Sequence, residues 1–158
     1  MIAFEPLSNL LADGLEEMLY DHWQEVGIDH DAVPLAPDWD HYRELEKQGI
    51  LRIVTMREFD ELIGYNFFFV NRHLHYRHTL HAVNDVIWLK PEKRKGLAGV
   101  RLLKDSEKML RATGVVKIIY HIKPHVLLGV RQTGTVGNLL LHLGYRHAEE
   151  CYSKILGA

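Results

Sequence analysis

Cysteine is nearly absent from this chain: its 158 residues include one, Cys151. A lone thiol excludes an intramolecular disulfide, and with it the small stapled folds, and it suits a reducing compartment. No uninterrupted apolar run is long enough to span a bilayer. The opening MIAFEPLSNLL lacks a basic segment ahead of an apolar run, so no export signal is read there and a cytoplasmic location is expected. Excess charge is missing too. Nineteen Lys and Arg against 21 Asp and Glu give a net charge of −2, and nothing global points to nucleic acid. There are no internal repeats, no low-complexity tracts and no HExxH helix motif. The chain is most simply one domain, 1–158, long enough to bury a full core.

What is present is concentrated between Asn84 and Gly114. Val86-Ile87-Trp88-Leu89 is a β-branched and aromatic run closed by Pro91, which reads as a buried strand. From Leu97 to Ala112 the apolar residues Val100, Leu103, Met109 and Leu110 alternate with charged ones in the rhythm of an amphipathic helix. Gly114 follows the last turn as a C-terminal stop. Between strand and helix lies Pro91-Glu92-Lys93-Arg94-Lys95-Gly96-Leu97-Ala98-Gly99. A helix N-terminus presents unpaired backbone N–H groups and a partial positive charge. Gly96, Ala98 and Gly99 let a ligand approach that backbone, and Lys93, Arg94 and Lys95 add charge. Such a loop suits a phosphate or pyrophosphate; the plainer reading is a strand-to-helix turn with solvated lysines.

This stretch resembles the acetyl-coenzyme A site of the GNAT family of N-acetyltransferases, whose signature is Gln/Arg-x-x-Gly-x-Gly/Ala after a strand ending near Pro-Glu. Arg94 takes the first position and Gly99 the last, with Leu97 where the central glycine is expected. The alternative register, through Lys93, Gly96 and Ala98, loses the arginine. Arg-x-x-x-Ala-Gly-x-Arg-Leu is similar to a variant found in phage and prophage members. Leu139 to Tyr145, LLLHLGY, resembles the family's closing helix and Leu-Gly-Phe/Tyr turn.

The order of elements agrees with that resemblance. A first strand is expected over Met1–Pro6, then a helix over Asn9–Val26 capped by Ser8. A second helix runs from an Asp38 cap through Gln48 to a stop at Gly49. Three antiparallel strands follow: Ile50–Glu58, Leu62–Val70 with a bulge or close backbone approach at Gly64, and His81–Leu89. A polar connection, Asn71–Leu80, precedes the last of these. After the amphipathic helix come a strand over Val115–Ile122, a loop or partial helix over Pro124–Gly134, a helix over Val136–Leu143 capped by Thr135, and one or two strands within Tyr145–Leu156. The resemblance implies an α/β (α+β) GNAT fold, with a mixed, mostly antiparallel sheet of six or seven strands and about four helices.

It also implies a function: transfer of an acetyl group from acetyl-coenzyme A to an amine on a small molecule or a protein, with no metal. The cofactor would lie on Arg94, Lys95, Gly96, Leu97, Ala98 and Gly99, its arm beside Val86, Ile87, Trp88 and Leu89. The tyrosine acid common in the family falls at Leu140, which leaves Tyr120, Tyr145 and Tyr152 as substitutes. Asp85 lies near where other members place a general base, with His81 and His121 next in line; equally, Asp85 can pair with a neighbouring histidine or cap a turn. The tract His73-x-His75-x-x-His78-x-x-His81 lacks a cysteine partner and reads as surface histidines rather than a zinc site. Trp23, Trp39 and Tyr42 read as core. The chief alternative is an acyl-coenzyme A-binding or protein-interaction module without turnover. A homodimer stays open, and neither nucleic acid nor membrane is an expected partner.

Overall fold

The computed structural model describes residues 1–123, 125–127, 130–132 and 135–156. They divide into two compact units, Met1–Asp21 with Pro37–His121, and His22–Ala36 with Ile122–Ala158.

The first unit is built on a five-stranded sheet in sequence order. Its strands are β1 (Ile2–Phe4), β2 (Leu51–Glu58), β3 (Glu61–His73), β4 (Tyr76–Leu89) and β5 (Val115–Ile119). β1 to β4 are antiparallel neighbours, and β5 joins β4 in parallel. The parallel step needs a crossover, and helix α4 (Ala98–Ala112) supplies it. The other helices are α1 (Leu7–Ala12), α2 (Leu15–Val26), α3 (Trp39–Lys47) and α5 (Thr135–His142). In the second unit, β6 (His125–Leu127) and β7 (Val130–Gln132) form a separate two-stranded sheet.

Period-two alternation gives the sheet two apolar faces, and the helices cover both. Val54, Met56, Phe68, Val70 and Ala82 cluster with Leu102 and Leu110 of α4. Leu51, Ile53, Tyr65, Phe67 and Trp88 cluster with Leu7, Leu10 and Leu15, and Trp39, Tyr42 and Leu45 of α3 pack on that side. Fully burying side chains of this size stabilises a fold by roughly 1.5–3 kcal/mol each.

The structure departs from sequence expectation in five places, the smallest being that Ser8, expected as a cap, lies inside α1, whose N-cap is Pro6. The first expected helix is broken into α1 and α2 at Gly14, which sits at φ +84° with no obstacle to a turn, so the described residues form five α-helices rather than about four. The histidine-rich connection is strand: β3 and β4 run on to a tight turn at Leu74-His75, with His73 opposite Tyr76. Within the expected loop or partial helix lie β6 and β7. Tyr145–Leu156 contains no strand among its described residues, because Arg146 to Leu156 is exposed on both alternating sets and offers no face to bury. Among the described residues the main sheet therefore has five strands rather than six or seven.

Two of the register irregularities of β3 and β4 bear on the site. Met56 pairs with Gly64 but Arg57 pairs with Leu62, which leaves Ile63 as an extra residue beside Gly64. Gly64 also meets a close backbone, since a Cβ there would stand 3.0 Å from the Trp88 carbonyl oxygen. On β4, Asn66 faces Ile87 and Phe68 faces Asn84, so Asp85 and Val86 together oppose Phe67 in a β-bulge. Buried amides pin this bulge. Asn84 Nδ2 donates to Asn66 Oδ1 at 2.9 Å and to the Phe67 carbonyl at 3.2 Å. Asn66 Nδ2 donates to Ser106 Oγ of α4 at 3.2 Å and to Tyr120 Oη at 3.0 Å.

Asn84→Ala strands two buried acceptors, and leaving such groups unmatched costs about 1–3 kcal/mol each at most. Urea unfolding followed by circular dichroism should show a midpoint clearly below wild type, whereas an unchanged midpoint would mean the amides do not hold the bulge.

Candidate active site

The bulge fixes the geometry of the site. Before it, Leu80 and Ala82 face the α4 side; after it, Ile87 and Leu89 do, and Val86 and Trp88 face the α1–α3 side. Across the extra residue Asp85 and Val86 both lie on the α3 side, and the Asp85 carboxylate Oδ2 accepts a 2.7 Å hydrogen bond from Tyr42 Oη. The same irregularity lies where β4 and β5 part. Their ladder runs from Leu80 opposite Val115 to Val83 opposite Ile119 and stops. β4 continues six residues further to Leu89 without a partner on that side among the described residues.

Asp85 is partly buried, and Tyr42 is its one hydrogen-bond partner among the described residues, with no ion-pair partner. Burial raises its carboxyl pKa above the ordinary aspartate value, and the Tyr42 hydrogen bond pulls more weakly the other way. Burial and the neighbouring carboxylate push the Tyr42 phenol up as well, so it stays a donor. Tyr120, one residue past β5, is likewise held protonated by burial and lies at the fork with its oxygen on Asn66.

The sequence candidates are not all brought together. His81 faces the same side as Asp85 but four residues earlier, on the order of 13 Å away at a strand rise of about 3.3 Å per residue. It is buried, pairs in register with Lys117, and shares a 3.1 Å hydrogen bond with Thr79 Oγ1. Burial first, then the electrostatic influence of Lys117 and His73, lowers its pKa below the ordinary histidine value. His121 lies exposed two residues beyond the end of β5. Leu140 is buried on α5 in the second unit. Tyr152 is exposed and hydrogen-bonds Glu150.

The loop after β4 opens with a 3₁₀ turn, Pro91–Lys93, and Gly96 takes φ +89° with open space where a Cβ would stand. Leu97 precedes α4 at φ −98°, an ordinary value that asks for no glycine, and its side chain is exposed. Among the described residues no side chain caps α4, so its first N–H groups are not taken by a capping side chain there. Among the three basic residues, Lys93 pairs with Glu58, and Arg94 Nε donates to the Leu89 carbonyl at 2.8 Å while its guanidinium lies 6.0 Å from the Trp88 ring. Lys95 is exposed, with no hydrogen bond or ion pair among the described residues. The local positive charge is thus smaller than the run Lys-Arg-Lys suggests.

Sequence reasoning missed Tyr42 and the amides Asn66 and Asn84. Tyr42 was legible only as a core aromatic, and its ring does pack between Trp39, Phe67 and Phe69. Its hydroxyl partner lies 43 residues away, and no local pattern announces that. Among the described residues no group of three or more His, Cys, Asp or Glu side chains is placed to hold a metal ion.

No protein-family model matches the sequence, and no curated protein matches it. Solved structures do match, along essentially the whole chain. A ribosomal-protein-alanine N-acetyltransferase from Brucella melitensis biovar Abortus 2308 aligns with TM-score 0.67 at 13% identity, covering 100% of this chain and 99% of its own. Glucosamine-6-phosphate N-acetyltransferase from Arabidopsis thaliana aligns with TM-score 0.68 at 11% identity, covering 99% and 98%. A transcriptional regulator from Bacillus halodurans C-125 aligns with TM-score 0.73 at 14% identity, covering 99% of each chain. The fold is that of the GNAT acetyltransferases.

The raised Asp85 pKa carries a stability signature. In the folded protein its neutral form is favoured, so its contribution to stability is intact below the unfolded value of about 3.9 and is lost as pH rises through the folded value. Asp85→Asn should therefore raise the thermal midpoint at neutral pH and lose that advantage below pH about 4. Scanning calorimetry across that range checks it; a variant no more stable than wild type at neutral pH would show that Asp85 is not a destabilising group.

Proposed function

We propose that this chain is a single-domain acetyltransferase that moves an acetyl group from acetyl-coenzyme A to an amine on a small molecule or a protein. One observation carries the reading. Among the described residues, a left-handed glycine loop leads to a helix start with no side-chain cap, directly after a strand whose edge is unpaired beyond Val83 and whose bulge carries a partly buried carboxylate with no cation beside it.

The residues fit the cofactor. Gly96 leaves space, and the N–H groups at the start of α4 suit a pyrophosphate, so Arg94 to Gly99 would hold it. The backbone of Val86 to Leu89, open beyond the fork, would take the pantetheine arm as a strand takes a neighbour. When bound, acetyl-coenzyme A supplies an activated acetyl thioester. Asp85 accepts a proton from the attacking amine, a role its raised pKa favours. Tyr120 is the phenol of this unit best placed to return a proton to the leaving sulfur, since it stands at the fork and Leu140 offers none. His81 and His121 are the reserve candidates for the base. The neighbours' names span a protein N-acetyltransferase and an amino-sugar N-acetyltransferase, so the fold leaves the acceptor unassigned.

A second reading, an acyl-coenzyme A-binding module without turnover, draws on the buried Leu140 and the neighbour described as a transcriptional regulator. Release of free thiol from acetyl-coenzyme A with a panel of amines separates the two.

Gly99→Glu places a carboxylate in the first turn of α4, where it favours the helix but opposes an anionic ligand. Calorimetry should find coenzyme A binding abolished in this folded variant; wild-type affinity would remove the loop from the site. Arg94→Ala should weaken binding only slightly, because Arg94 Nε is already committed to Leu89. Asp85→Asn should lower kcat by about 10²–10⁴-fold with cofactor affinity nearly unchanged, and a variant with wild-type kcat would make Asp85 structural.

A further inference from the structure

We propose that Tyr42 is a positioning residue for the acceptor amine, holding Asp85 Oδ2 so that Oδ1 is the oxygen that takes the amine proton. The inference rests on the reading of Asp85 as the base, and it adds a residue and an atom to it.

Geometry carries it. The phenol reaches Asp85 from α3 at 2.7 Å, and the ring is fixed by its neighbours, with centroids 5.6 Å from Trp39, 6.3 Å from Phe67 and 6.2 Å from Phe69. The phenol therefore has little freedom to follow the carboxylate; the carboxylate must orient to it. On its own strand, Asp85 has His81 four residues away; from β3, Phe67 and Phe69 bring no charge; from α3, Tyr42 is the titratable group in contact. Oδ1 is left without a hydrogen bond or ion pair among the described residues.

A carboxylate in that state is completed from outside by a proton or a cation. An ammonium group provides both in turn. It binds to Oδ1 as a cation, then leaves its proton there and keeps the nitrogen lone pair free for attack. The product is a neutral carboxylic acid with its O–H at Oδ1 and its carbonyl at Oδ2. Tyr42 donates to Oδ2 before and after this transfer, so nothing reorganises on that side. Were Oδ2 to take the proton instead, the phenol would have to turn away.

Tyr42→Phe removes the hydroxyl and keeps the ring. The direct test follows the Asp85 carboxyl carbon by NMR as a function of pH, in wild type and in Tyr42→Phe, with neither cofactor nor amine present. The midpoint should rise in the variant, because a donor that favours the charged form has gone. In turnover assays with acetyl-coenzyme A and an accepted amine, the acidic limb of kcat/KM should move up in step, with rates below that limb falling several-fold. In an Asp85→Asn background, Tyr42→Phe should have no further effect on kcat. A midpoint that stays put in the folded variant overturns the inference. If the midpoint moves but wild type acetylates no amine, the functional reading fails and the role of Oδ1 falls with it.

Discussion

Asn84 gives its side-chain amide to Asn66 and to the Phe67 carbonyl, and Asn66 in turn reaches α4 and the end of β5. These hydrogen bonds lie inside the core, where an unmatched polar group is costly and a matched one has no competitor. They act at the point where β4 carries an extra residue. The extra residue leaves Asp85 and Val86 both on the α3 side, reverses which side chains face α4, and coincides with the end of the β4–β5 ladder. Without the bulge the register on one side of Asn84 would put β4's apolar residues on the wrong face, since one residue of slip inverts a strand. The fork and the carboxylate thus lie together at one local irregularity.

Charge is handled in two opposite ways in the same unit. Arg57 is little exposed and fully engaged, with Nε 2.7 Å from Glu5 Oε1 and Nη2 2.8 Å from Glu5 Oε2 and 2.5 Å from Asp13. The Arg57 hydrogen bond draws the Glu5 carboxyl below its usual range. That cluster ties β1 and the end of α1 to β2, and it leaves no capacity for a ligand. Among the described residues Asp85 has a neutral partner and no cation, and its burial works against the charged form.

The strand-to-helix loop shows why a basic sequence run is an incomplete guide to local charge. Lys93 turns to Glu58, Lys90 to Glu61, and Arg94 back onto β4. What the loop offers an anion is chiefly backbone, opened by Gly96 and by the lack of a side-chain cap on α4. Leucine at 97 is accommodated because the left-handed turn falls one residue earlier, at Gly96.

Local pattern alone determined much of this protein. The amphipathic period of α4, the Asp38 cap on His41 N, the stops at Gly49 and Gly114 and the apolar runs of β2, β3 and β4 follow from side-chain chemistry acting over a few residues, and they are legible in sequence. The small-residue loop before α4 was legible for the same reason. The tertiary structure decided what depends on partners far along the chain. Strand pairing extends His73 and Tyr76 into a hairpin that polarity alone reads as a loop. The exposed tail after Tyr145 forms no strand among its described residues despite its alternation, because a strand needs a face to bury. Tyr42 meets Asp85, and Asn66 meets Asn84, Ser106 and Tyr120, across 18 to 54 residues. A sequence specifies such contacts only through the whole fold, since hydrogen-bond geometry is set by where the backbone has been carried, and not by the identity of the neighbours in the chain.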